Sequence, residues 1–135
     1  MTRNLRVEGK RLIREGERVL RRDARGALAD RDFNMVVRRA QEVVELVLKG
    51  ALKILGADYP KAHDVASAFS QQVRRKLKAV NPDALNQIEE ISLWLSQARA
   101  PSFYFERDYD APDARKAYKD AALVVTHVKR MLAMK

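Results

Sequence analysis

The chain has 135 residues, no cysteine, 47% hydrophobic and 33% charged residues, and a formal net charge of +9. These values suit one globular domain with a buried core and exclude intrinsic disorder, disulfides and thiolate metal centres. No apolar run approaches the ~18–20 residues of a membrane span, and the N-terminus is too charged for the apolar part of a signal peptide, so a cytoplasmic protein without membrane association is expected.

Ala, Leu, Val, Arg, Glu and Lys dominate, and glycine and proline are scarce, which favours helix. Residues 1–39 carry twelve Lys or Arg against six acids, so +6 of the +9 lies in the first part of the chain. A field of that sign attracts polyanions, nucleic acid above all. A solvated, arginine-rich helix face has the same composition.

The first predicted helix covers about residues 3–29, with apolar residues at Leu5, Leu12, Ile13, Val19, Leu20, Ala24, Ala27 and Leu28. Gly9, Gly16 and Gly26 each weaken it by ~1 kcal/mol against Ala, so it needs tertiary packing or close approach by a neighbour. The second, about 32–55, is capped by Asp30 or Asp32. Its stripe from Phe33 through Val36, Val37, Ala40, Val43, Val44, Val47, Leu48 and Ala51 to Leu55 is wide enough for a central helix. Gly56 and Tyr59-Pro60 end it. A third helix follows Asp64, with Val65, Phe69, Val73, Leu77 and Val80 on its buried face. Asn81-Pro82 starts a fourth, about 82–98, and Pro112 opens a fifth. The predicted architecture is all-α: a five-helix, up-and-down helical bundle with a four-helix core.

Residues 98–109 read as a connecting loop, yet they contain Phe103, Tyr104, Phe105 and Tyr109 together with Arg99 and Arg107. The rings either plug the core or present flat faces to a ligand. A guanidinium fork suits a phosphate and a ring suits a base, so Arg99, Tyr104 and Arg107 are candidate nucleotide- or RNA-binding residues. Glu45 and Lys49, at i and i+4 beside the wide stripe, form a candidate ion pair at a helix contact. His63, beside Asp64, reads as a residue at a helix start, and His127 as exposed. Two isolated imidazoles make no usual metal site, and no phosphate loop, serine elbow or cysteine nucleophile is visible, so neither metal nor cofactor is expected.

The run from Ala40 to Leu52, then Tyr59-Pro60-Lys61-Ala62-His63-Asp64-Val65, then Ala98-Arg99-Ala100-Pro101-Ser102-Phe103-Tyr104, and a last helix with Tyr118, Asp120 and Ala121, resemble HEPN domains in order and spacing. The resemblance covers about residues 10–132. It implies a single HEPN-like helical domain over 1–135, commonly a symmetric homodimer, with nucleotide or RNA ligands and a separately encoded minimal nucleotidyltransferase as protein partner. Many members are metal-independent RNases of toxin–antitoxin systems, whose signature is an Arg, a polar residue, a few more residues and then His. Arg99 matches the Arg, but Ala100 follows it, and Phe103, Tyr104 and Phe105 stand where the His belongs. The resemblance therefore implies recognition of nucleotide or RNA without RNase activity. Two alternatives stay open: an interaction module dimerising through the aromatic loop and the Leu93/Trp94 side, and an active RNase.

Overall fold

The computed structural model describes residues 3–134. The chain forms α1 (Leu5–Arg18), a π-helical stretch (Val19–Ala24), α2 (Arg25–Ala29), α3 (Phe33–Ile54), α4 (Ala66–Lys76), α5 (Pro82–Phe103) and α6 (Ala111–Met131). The backbone stays right-handed helical through both junctions of α1, the π-helical stretch and α2, so these three make one rod. With α3 to α6 they give a five-helix, all-α bundle, and the described residues contain no strand. None of its helices is long and apolar enough to cross a membrane.

The helix α3 packs against α1, α4, α5 and α6. Its width of apolar surface follows from that position: Val36, Val37, Ala40, Val43, Val47, Leu48, Ala51 and Leu52 are all fully buried. Helices α1, α3, α5 and α6 form the four-helix core, and α4 lies across α3 and α5. Side-chain caps start four of the rods. Asn4 accepts from the Val7 N–H, Asp32 from Met35, Asn81 from Asp83, and Asp110 shares a reciprocal capping box with Asp113. At the end of α3, Gly56 takes φ +79°, a left-handed conformation that costs a residue with a Cβ.

Gly9 in the first rod and Gly50 in α3 serve close approach. A Cβ on Gly9 would sit 2.5 Å from the Gly50 carbonyl oxygen, and one on Gly50 would sit 2.6 Å from the Gly9 carbonyl oxygen. The rods α1 and α3 therefore touch backbone to backbone there, running antiparallel. Beside this contact Glu8 lies between Arg3 (2.9 Å) and Lys53 (2.8 Å). Hydrogen bonds from Arg3 and Lys53 pull its carboxyl from the usual 4.5 to about 2.

Two helix ends and the burial of one histidine differ from the sequence expectation. The helix α5 does not stop near Ala98 but continues to Phe103, with Pro101 inside its last turn. Proline removes one helix hydrogen bond, to Gln97, which lies on the exposed face. Burial of Ala98 and Ser102, which continue the spacing of Ile88, Ile91 and Leu95, holds the extension on the core. The helix α4 ends at Lys76 because Leu77 turns extended (φ −112°, ψ 138°). Leu77 and Val80 still pack on the core from outside the helix. His127 is half-buried rather than exposed. Its Nε2 lies 2.8 Å from Gln87 Oε1, and burial, with Arg130 nearby, pushes its pKa down.

The glycine contact yields a paired prediction. Gly50→Ala should destabilise the protein by about 1–3 kcal/mol through overpacking. Gly26→Ala, whose Cβ would meet nothing within 4 Å, should stabilise it by about 0.4–1 kcal/mol. Thermal or denaturant melts of the two variants measure both signs.

Candidate functional site

A polar row runs down one face of the otherwise apolar α3: Asn34, Arg38, Gln41, Glu45, Lys49 and Lys53, spaced by three and four residues. Its middle part forms the floor of a pocket of about 230 Å³, whose remaining walls include His63, from the segment between α3 and α4, and Arg99 and Phe103 on α5. Arg99 and Phe103 reach it because α5 is longer than the sequence suggested; at i and i+4 they share one side of its last turn.

The centre of the pocket is Glu45. Gln41 donates to its Oε1 (2.9 Å), Lys49 to its Oε2 (2.8 Å), and His63 Nδ1 lies 2.8 Å from its Oε1. Burial pushes the Glu45 carboxyl up, but the hydrogen bonds from Lys49, Gln41 and His63 outweigh it and leave the pKa below the usual value. An ionised carboxylate only accepts, so His63 Nδ1 carries the hydrogen and Nε2 is the free ring nitrogen.

Four cations and two carboxylates line the pocket. Arg39 pairs with Glu42 at 2.9 Å and Lys49 with Glu45 at 2.8 Å. Arg38 and Arg99 have no carboxylate partner among the described residues. Arg38 instead lies over the Phe103 ring, 4.0 Å from its centroid. Cation–π stacking fixes the plane of that guanidinium while leaving its N–H edge available. Two unneutralised guanidiniums lining one cavity carry the charge and hydrogen-bond donors that suit a phosphate-sized anion.

The aromatic segment divides. Tyr109 is 8% exposed and plugs the core, and burial pushes its phenol pKa up. Phe103, Tyr104 and Phe105 are 41%, 68% and 73% exposed. The Tyr104 ring meets the Phe103 ring edge-on at 4.8 Å, and Phe105 holds φ +55°, a strained conformation for a residue with a Cβ. Arg107 belongs elsewhere. It lies over Tyr109 (4.7 Å) and 3.7 Å from Asp113, in a separate groove of about 530 Å³ between α5 and α6 that also contains Trp94 and Lys116. The structure thus brings Arg99, Glu45 and Lys49 together, sets Tyr104 on the surface against Phe103, and separates Arg107 from them.

Sequence reasoning missed Arg38, His63 and Asn34. The first two become site residues only when α3, α5 and the 57–65 segment meet. Asn34 is 8% exposed on α3. Its Nδ2 donates to the carbonyls of Ser102 (3.3 Å) and Arg107 (2.9 Å), and its Oδ1 accepts from the Tyr109 N–H (2.8 Å). One amide side chain thereby fixes both ends of the aromatic segment. An asparagine at the core edge of an apolar stripe was the available signal.

The HEPN domain family model matches residues 10–131, nearly the whole chain, so the chain belongs to the HEPN domain family. No curated protein and no solved structure shows a significant match. Membership, with the helical bundle, associates the protein with nucleotide or RNA chemistry.

Asn34→Ala should cost about 2–4 kcal/mol, because it strands buried backbone groups that are worth ~1–3 kcal/mol each when unsatisfied. It should also raise hydrogen exchange at the Tyr109 amide more than at the centre of α3, which mass spectrometry or NMR reads directly.

Proposed function

We propose that this protein binds nucleotide or RNA in the pocket between α3, α5 and the 57–65 segment. The observation that carries the reading is the pair of unneutralised guanidiniums, Arg38 and Arg99, in one cavity with the Phe103 ring. A phosphate bridges the two guanidiniums, and Phe103 and Tyr104 offer faces and edges to the attached base. Lys49 adds positive potential while Glu45 restrains it. The four Lys/Arg and two Glu leave the lining at +2, which favours an anionic ligand.

The biological setting proposed is that of a partner to a separately encoded nucleotidyltransferase, with the protein acting as a homodimer. The solvent-exposed Leu93 (50%) beside the half-buried Trp94 supports a protein interface on the α5/α6 side, away from the phosphate pocket. Trp94 itself donates to Asp120 Oδ2 (2.9 Å) and is covered by Lys116 (4.6 Å), so it supplies a rigid edge to that face.

Binding of ATP and of a fluorescein-labelled single-stranded RNA, measured by anisotropy across a salt series, tests the assignment. Arg38→Ala and Arg99→Ala should each weaken binding about 10–100-fold, the worth of a charge-assisted bond. Tyr104→Ala should weaken RNA binding more than ATP binding. Arg107→Ala, in the other groove, should change affinity less than any of these. Equal affinity of wild type and Arg99→Ala would refute the site.

A further inference from the structure

The carboxylates of the first rod are all committed. Glu8 meets Arg3 (2.9 Å) and Lys53 of α3 (2.8 Å), and Glu17 meets Lys129 of α6 (3.0 Å). Glu15 pairs with Arg18 and Asp23 with Arg22 within the rod. Arg6, Lys10, Arg14, Arg21 and Arg25 have no carboxylate partner among the described residues. The four arginines of this set are exposed and Lys10 is half-buried. No residue of the rod lines the pocket between α3 and α5.

These five cations form a line. Intervals of four, four, seven and four residues keep them on one side of a helix. A spacing of four drifts slowly round an α-helix, and the π-helical stretch Val19–Ala24, whose turn takes in an extra residue, carries Arg21 and Arg25 back toward the line of Arg6. At 1.5 Å of rise per residue the line is about 28 Å long, with most neighbours about 6 Å apart. The rest of the bundle does not share this charge. The helix α5 packs on α3 but not on α1, and it carries Asp83, Glu89 and Glu90 with no Lys or Arg before Arg99. One side of the molecule is therefore basic and another acidic.

We propose that the solvent face of the first rod is a docking surface for the phosphate backbone of a nucleic-acid strand, held by charge without regard to base or sugar. It is a second surface, independent of the phosphate pocket. Evenly spaced guanidiniums with free N–H groups suit a ligand whose anionic groups recur at regular intervals, and each contact releases condensed counterions. No aromatic side chain stands on the rod to stack a base, so the backbone alone is read. An anionic membrane offers the same sign of charge. However, the rod exposes only one large apolar side chain, Val7 (53%), too little to enter a lipid interface. The acidic face of α5 orients an approaching strand toward the rod.

The test uses the full chain and a fluorescein-labelled single-stranded DNA of mixed sequence, followed by anisotropy across a salt series. Five contacts predict that log K falls with log salt with a slope of about −3 to −4, at ~0.7 per phosphate on a single strand. The triple variant Arg14→Gln, Arg21→Gln, Arg25→Gln should flatten the slope by about 2 and weaken binding at low salt at least about 10-fold. The triple variant with lysine at the same three positions should keep the wild-type slope, which separates charge from a structural role. ATP is too short to use the line, so its affinity should be the same in both triple variants as in wild type. Arg99→Ala should lose ATP and keep the DNA salt slope. A slope unchanged by the three glutamines would overturn the surface. Loss of DNA binding in Arg99→Ala, with wild-type affinity in the glutamine triple, would place the strand in the pocket and overturn this inference while leaving the pocket standing. Binding to phosphatidylserine vesicles without binding to DNA would overturn it as well. DNA binding with the predicted slopes but no ATP binding would support the surface and refute the pocket.

Discussion

The structure depends on the burial of α3 among all the other rods. A helix enclosed in this way cannot leave its polar side chains to water, so each must be satisfied by a neighbour. Along one face of α3 that requirement generates nearly everything of functional interest. Asn34 ties down the aromatic segment, Glu45 collects Gln41, Lys49 and His63, and Lys53 meets Glu8 of α1. The exception on that face is Arg38, which finds a ring rather than a carboxylate and so remains available to an anion. The close glycine contact between α1 and α3 lies beside the Lys53 end of that face.

Charge is distributed less simply than composition suggests. The first part of the chain carries the largest excess of arginine, and part of it is already paired. Arg3 meets Glu8, Arg18 meets Glu15 and Arg22 meets Asp23. These exposed pairs contribute little to stability, but they lower the local charge offered to a polyanion. The pocket has fewer cations, and two of its four, Arg38 and Arg99, lack a carboxylate partner. Long-range attraction by the net charge and the proposed short-range recognition by Arg38 and Arg99 are therefore separate properties.

The fold was largely readable from hydrophobic spacing and caps. Asp32, Asn81 and Asp110 start helices as short polar side chains before apolar periodic runs should. The end of α5 was not, because Pro101 is a strong breaker signal in sequence and the packing of Ala98 and Ser102 is a tertiary effect. That one boundary changes the site: with α5 ending near Ala98, Arg99 and Arg107 read as one loop, whereas the helix turns Arg99 toward α3 and leaves Arg107 in the other groove. The Glu45–Lys49 spacing was visible, but its meeting with His63 joins residues far apart in sequence. No local pattern reports such a contact. The role of Phe103 was divided in the same way, since its use as a platform for Arg38 depends on how α3 and α5 are registered.

The central claim is that Arg38, Arg99 and His63 form one anion-recognising unit. Side-chain NMR of the intact protein measures this most directly, following arginine Nε–H and histidine ring signals while a short single-stranded RNA is titrated in. The account predicts that Arg38, Arg99 and His63 shift together with a common dissociation constant, while Arg107 and the paired arginines of the first rod move little. Shifts concentrated on Arg107 and Trp94, or spread evenly over the first rod with His63 unmoved, would contradict it.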